Sequence, residues 1–404
     1  MKSKLNLETE LLLNILRGNE HNIEKIISKK INWDLFLILT KNHELLPCVY
    51  FNFKNKLDLV PPDISFYLEK IYEANLARNL LLGEEFLKIY HLLTQAGVEV
   101  VPLKGLDLEI RFQTTFYRRI MKDIDILIKK KDLEKTIKIL EQHTYQKYLA
   151  GNTEEYWLTK QCHLAFKKEH KLFKYGILIE VHWALDIPPR DKILTDVWDR
   201  IRTKEYNGNK FSLLSSEDSL FSLILHNRRF GNILSLKQVL DLKQLCENYT
   251  LDTNYILKST QKYELNSALY FALTQTQLIS KAPCISTIIK GLRISNFKKR
   301  KIKKLIHNYI FSPSLLDKKK EIYLKAHFLL YDRWIEPLWF ILNIPYEQFC
   351  KFYNLKPYRK STNLLYYLRP ISFLILKSFK EIPEKSVYKT SQFINILLKN
   401  TSFD

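Results

Sequence analysis

The sequence predicts an α+β fold, mostly helical, in which a small mixed β-sheet is flanked by N-terminal and C-terminal helical regions. Two observations predict it. Gly is scarce, at 9 of 404 residues, while Leu, Ile and Lys are abundant, a balance that favours helices. Strand-like alternation is confined to residues 98–214, and helical periodicity fills the chain on both sides.

Residues 1–60 read as short helices. Pro61-Pro62 then opens a long helical pattern reaching Gly97, with Phe86, Ile89, Tyr90 and Leu93 at helical spacing. Gly83 within it marks a candidate break between two helices. "VEVVPLKG" (98–105) reads as a strand running into a turn and a short helix. "MKDIDILIKK" (121–130) is the next strand and "DLEKTIKILEQH" a helix. "QCHLAFKKE" (161–169) and "GILIEVHWAL" (176–185) are two more strands, joined by a charged connection suited to a hairpin. Pieces at 201–206 and 210–214 are expected to complete the sheet. From Ser215 the chain turns helical again, with Ser215 and Asp218 of "SSED" set as a capping box. These changes divide the chain into a helical region over 1–75, a mixed core over 76–214 and a second helical region over 215–404.

The formal charge of +21 attracts polyanions: nucleotides, nucleic acid or an anionic membrane surface. The basic residues are dispersed and not gathered in a stripe, so nucleic acid is compatible with the charge without being favoured. "KKRKIKK" (298–304) reads as a solvated basic helix face, and "DRWIEPLWFIL" (332–342) as a buried helix pair broken at Pro337. Five scattered cysteines without a CxxC pair support neither a disulfide framework nor a zinc module. No apolar run approaches the ~18 residues that span a bilayer, and "MKSKLNLETELLLNILRGNE" reads as an amphipathic helix, not a signal peptide. The expected location is cytoplasmic.

The chemistry gathers around "MKDIDILIKK". Alternation puts Ile124, Ile126 and Ile128 on one face of the strand and Asp123, Asp125 and Leu127 on the other. Two carboxylates at i and i+2 lie roughly 7 Å apart by backbone rise. Either this face is turned to water or a cation sits on it, and Mg²⁺ suits one or two carboxylates with substrate phosphates and water. On the 176–185 strand Glu180 and His182 share a face, so Glu180 can supply a third carboxylate to a two-metal site. Lys104-Gly105 ends a strand and opens a helix, where helix amides and a Lys suit a triphosphate. Arg118 and Arg119 stand just before the Asp strand and can oppose phosphate oxygens. His163 can reach the same pocket if its strand neighbours 176–185. His226 and Asp241, both on helices, are candidates either to line an acceptor cleft or to pack structurally.

The order "PLKG", "FYRRIMKDIDILI", "CHLAF", "LIEVHW" resembles an uncharacterised bacterial branch of the nucleotidyltransferase superfamily that contains DNA polymerase β. The resemblance is specific across about 100–240, including "SSEDSLFSLILHN" and "LDLKQL", and weak outside. It implies that Asp123, Asp125 and Glu180 are metal ligands and catalytic residues, with Glu180 where many relatives carry Asp. Gly105 matches the glycine of the family's strand-to-helix turn, although Lys104-Gly105-Leu106 replaces the usual Gly-Ser pair. Lys104 is then the candidate to replace the missing hydroxyl in holding the triphosphate. The implied reaction moves a nucleoside monophosphate from an NTP to an acceptor, with two Mg²⁺ (or Mn²⁺) and release of pyrophosphate. Sugar phosphates, peptides and other small molecules are the acceptors to consider. Two other functions fit the same residues: a toxin-like transferase acting on tRNA or protein, and a non-catalytic nucleotide-binding sensor.

Overall fold

Asparagine side chains start the first helices. Asn6, Asn19 and Asn32 each accept from a backbone amide of the following turn, satisfying donors that have no partner within the helix. They open α1 (Leu7–Arg17), α2 (Glu20–Ile27) and α3 (Trp33–Asn42). α4 (Leu46–Phe53) follows, and Pro62 in the first turn then opens α5, Pro62–Gln95. The computed structural model describes residues 5–230 apart from 189, 192 and 194, residues 235–309, and parts of 326–368. The chain divides into two compact units, Met1–Asp332 and Arg333–Asp404.

α5 runs unbroken through Gly83, where a break was expected. The glycine serves packing: a Cβ there would meet the Phe116 ring at 2.7 and 2.8 Å. Residues 75 and 76 both lie inside this helix. Its first turns bury Ile64 and Leu68 in one core, and its last turns bury Leu82, Phe86, Ile89 and Leu93 in a second.

The sheet lies between these cores. Its order is β1-β2-β5-β4-β3, built from β1 (Val101–Pro102), β2 (Ile124–Leu127), β3 (Gln146–Lys147), β4 (His163–His170) and β5 (Phe173–His182). β2 and β5 run parallel, while β1–β2, β5–β4 and β4–β3 are antiparallel, so the sheet is mixed. Between the strands lie α6 (Lys104–Phe112), α7 (Thr115–Arg118), α8 (Leu133–Gln142) and α9 (Glu154–Lys160). Ile124, Ile126, Ile177, Ile179, Val181, Leu164 and Phe166 all face the second core. The alternate residues Asp125, Leu127, Glu180, His182 and His163 share the opposite face, as period-two geometry requires.

Several strand expectations are corrected. β2 has only four paired residues, because its ladder with β5 begins at Ile124↔Ile179 and Asp123 sits in a bend before it. Leu127, on the Asp face, is fully buried, so that face is covered by the first core and not turned to water. β4 and β5 extend to His170 and Phe173, leaving a much tighter hairpin than the charged connection suggested, and β5 stops at His182. β6 (Arg202–Tyr206) and β7 (Asn209–Leu213) pair only with each other, as a separate two-stranded sheet.

The first unit continues with α10 (Ser216–Phe230), α11 (Leu236–Asn248), α12 (Thr253–Lys262), α13 (Asn266–Thr276), α14 (Pro283–Gly291) and α15 (Asn296–Tyr309). Ser215 caps α10, accepting from Asp218 N at 3.1 Å and donating to its carboxylate at 2.8 Å. In α15, Ile302 and Leu305 turn inward while Lys301, Lys303 and Lys304 are exposed, the solvated basic face expected. In the second unit, α16 (Ile335–Leu342) carries Pro337 in its first turn, where the ring needs no amide, so the helix is not broken there. Trp334 is exposed, not buried, and the Trp339 side chain falls outside the described residues. α17 (Lys360–Tyr367) brings Tyr366 edge-on to Tyr346.

Helix propensity alone favours Ala over Gly at position 83 by about 1 kcal/mol. Against the Phe116 ring we expect Gly83→Ala to destabilise instead, by about 1–2 kcal/mol. Urea unfolding of the variant and of Gly83→Ala/Phe116→Leu checks this: the second change should relieve most of the penalty.

Candidate active site

The register of two parallel strands creates the site. Asp125 on β2 stands directly beside Glu180 on β5, and Leu127 beside His182; on the other flank of β5, His182 pairs with His163 of β4. The ladder therefore delivers two carboxylates and two imidazoles to one sheet face. Asp125, His182 and His163 are buried, while Glu180 keeps partial exposure.

Lys104 reaches them from the first residue of α6. Its Nζ donates to Asp125 Oδ1 at 2.5 Å and lies 3.5 Å from Glu180 Oε2. The backbone that aims it is strained, with φ +54° at a non-glycine residue, a conformation costing about 1–2 kcal/mol. Leu103 N donates to Asp125 O at 2.9 Å, so the turn is tied to the strand that it faces. Gly105 admits the segment after α7: a Cβ would lie 2.8 Å from Arg119 Nη1 and 2.9 Å from Met121 Cγ.

Two imidazoles close the back of the cluster. His182 Nε2 is 3.0 Å from Asp125 Oδ1 and 3.3 Å from Glu180 Oε2. His163 stacks at 4.9 Å on His182, with its Nε2 3.8 Å from Glu180 Oε1. Burial opposes the charge of His182, but its bonds to Asp125, Cys162 and Glu180 win and raise its pKa to about 10. Lys104 is likewise raised, because Asp125, Glu180 and Asp123 outweigh its desolvation. Burial pushes Glu180 up, yet Lys104 and the two histidines hold it well below the usual carboxylate range. Asp123 is the carboxylate left over: burial, then the charge of Asp125, raises it to about 7.

A cavity of about 280 Å³ opens in front of this cluster. Lys104, Gly105, Arg119, Asp123, Asp125, Glu180 and His226 line it, as do residues that the sequence does not single out: Glu44, Lys122, Lys237 and Gln238. His163 and His182 are not among its lining residues and lie behind the carboxylates. Arg119 is fixed by Asp241, with Nε 3.1 and 3.0 Å from the two carboxylate oxygens, so Asp241 acts on the cavity through its partner. Arg118 lies over the Phe51 ring at 4.1 Å and is not part of the lining. Glu44, in the turn after α3, accepts from both Lys122 and Lys237. The only local signal for Lys237 is a cation among the apolar positions of "SLKQVLDLKQL"; nothing local marks Glu44.

The donor set fits a hard divalent cation. Asp125 and Glu180 place carboxylate oxygens within 4.8 Å of one another, and Asp123 lines the same cavity with a proton affinity raised by burial and then by the charge of Asp125. Oxygen-rich, undercompensated sites are those that Mg²⁺ and Mn²⁺ occupy.

Glu44 supplies a pH test. Burial opposes its charge, but Lys237 and Lys122 hold its pKa down at about 2. A depressed carboxylate stabilises the fold above its unfolded pKa, and this contribution is lost as pH falls through the folded value. We expect the stability gap between wild type and Glu44→Gln, from denaturant titrations, to be constant above pH 4.5 and to shrink towards pH 2.

A sequence model described as "Uncharacterised nucleotidyltransferase" matches residues 29–280 of the chain. No match was found among curated proteins or among solved structures. The matched span runs from before α3 to past α13 and so takes in the whole sheet, the cavity and every residue that lines it. The chain belongs to this uncharacterised nucleotidyltransferase family.

Proposed function

We propose that the protein is a metal-dependent nucleotidyltransferase that moves a nucleoside monophosphate from an NTP to an acceptor hydroxyl or phosphate. The observation that carries this reading is the Asp125–Glu180 pairing across parallel strands, with Asp123 beside it and one ammonium among three carboxylates. Asp123, Asp125 and Glu180 are the residues to hold two Mg²⁺, or Mn²⁺ in their place. When bound, such ions polarise phosphoryl oxygens and lower the pKa of an attacking hydroxyl.

The chain's own residues do the rest. Glu180 stays ionised at neutral pH and so acts as a ligand more than a store for protons. His182 buttresses Asp125 and Glu180 from behind and fixes their oxygens. Lys104 holds Asp125 and Glu180 together through its Nζ, and were Asp123, Asp125 and Glu180 to hold metal ions, its ammonium would be free to meet the phosphates. Arg119, clamped by Asp241, presents a fixed cation to the cavity and opposes charge developing on the leaving group. The acceptor oxygen bonds to the α-phosphorus, the bond between the α-phosphorus and the bridging oxygen breaks, and pyrophosphate leaves with that electron pair, while the proton of a hydroxyl acceptor passes to solvent.

Incubation with each α-labelled NTP, Mg²⁺ or Mn²⁺ and a cell extract tests the reading. Label should pass to one fraction of the extract and pyrophosphate should appear; chelation should stop both. Asp125→Asn should lower transfer by about 10³-fold or more with an unchanged circular dichroism spectrum. Full activity in that variant would remove Asp125 from the mechanism. NTP binding without turnover in any extract would instead make the protein a sensor.

A further inference from the structure

Away from the carboxylates, the cavity has a second, basic side. Lys122, Lys237 and Arg119 all line it, and among the described residues Glu44 and Asp241 are the carboxylates that pair with them. Asp241 is taken up by both its oxygens in Arg119. The two lysines are left to share a single carboxylate, Glu44.

Lys237 does not sit where folding alone would put it. Lys237 is 8% exposed and occupies the first turn of α11, where the helix dipole disfavours a cation. Burial and the nearby Arg119 lower its pKa, and Glu44 is the first influence that opposes them. Glu44 takes the left-handed position that ends α3, at φ +56°, with Leu45 N donating to Thr40 O and Glu44 N to Lys41 O. Its turn is bolted to α11: Ser235 Oγ donates to His43 O at 3.1 Å, and Leu236 N donates to His43 Nδ1 at 3.2 Å. The turn delivers a monoanion between two ammonium groups that line a cavity, where a dianion with more oxygens would satisfy them better.

Resting on the transferase reading, we propose that Lys237 and Lys122 form a subsite for a phosphoryl group of a substrate, and that Glu44 occupies this subsite until the phosphoryl group displaces it. Two substrates can bring such a group: the tail of the NTP, or an acceptor that is itself a phosphate ester. Arg119 borders the subsite and links it to the carboxylate end of the cavity.

The first experiment uses inorganic phosphate as probe and the full chain in the presence of chelator, which leaves the carboxylate end without metal. Calorimetry should detect binding that Lys237→Met and Lys122→Met each weaken at least tenfold. Glu44→Gln should tighten it several-fold, since the competing carboxylate is gone. Lys122 has an exposed side chain, so its variant reports even if the Lys237 variant does not fold. No phosphate binding in wild type, or the same affinity in Lys122→Met and Glu44→Gln as in wild type, overturns the proposal.

The second experiment identifies the source. If Lys122→Met weakens Mg²⁺–NTP binding tenfold, the group belongs to the nucleotide. If NTP affinity is unchanged while phosphate inhibits label transfer in wild type and not in the variant, it belongs to the acceptor. Asp125→Asn separates this inference from the transferase reading: it should retain phosphate binding after losing transfer. A protein that binds phosphate through these lysines yet transfers nothing would overturn the catalytic reading and leave the subsite standing.

Discussion

The architecture around the site answers to one constraint, the burial of like charge. Asp125 and Glu180 are neighbours in register on parallel strands, and Asp123 stands just before the first. Carboxylates crowded out of water repel, and each must be protonated or matched with a cation. Lys104 and His182 pair with Asp125 and Glu180, and Asp123 shows its burial, and then the charge of Asp125, as a raised proton affinity. Several costs elsewhere follow from this arrangement: a left-handed lysine at the start of α6, a glycine beside it, and a histidine buried behind the carboxylates.

The same economy of charge recurs in the packing between sheet and helices. Arg111 donates to Asp107, which also accepts from Ser219 of α10. Arg200 donates to both oxygens of Asp218, the residue that closes the cap of α10. Arg228 meets Asp186, both nearly without exposure. Such pairs add little net stability over apolar packing, but breaking one strands a buried charge, so together they fix α10 against α6 and against the segments around Asp186 and Arg200. On the cavity's basic side two lysines divide one carboxylate, as Lys88 and Lys168 divide Glu85 elsewhere.

Much of this was legible in the sequence. Period-two alternation placed Asp125 opposite the Ile face and put Glu180 with His182, because one buried face leaves a strand no other register. The cap at Ser215, the start of α5 at Pro62 and the basic face of α15 followed from equally local rules. What failed was long-range. Nothing near Gly83 reveals that Phe116, some thirty residues on, needs its missing side chain. The 201–214 pieces had the right alternation for the sheet but pair only with each other. Glu44 and Lys237 are almost two hundred residues apart, and no periodicity records that a turn between two helices will lean into a cleft built by others.

The unbroken course of α5 bears on how the cleft can open. Its first turns belong to one core and its last turns to the other, and 34 residues of helix extend about 51 Å. Asn79, near its middle, donates to the carbonyls of Phe116 and Arg119. The helix is thus a rigid chassis on which the Arg119 segment is mounted. The turn holding Glu44 is fastened instead to the head of α11. Arg119 in turn grips Asp241 of α11 through both carboxylate oxygens, so the segment carried on α5 and the helix that anchors Glu44 are tied together across the cleft, by that pair and by Lys122 and Lys237 meeting on Glu44.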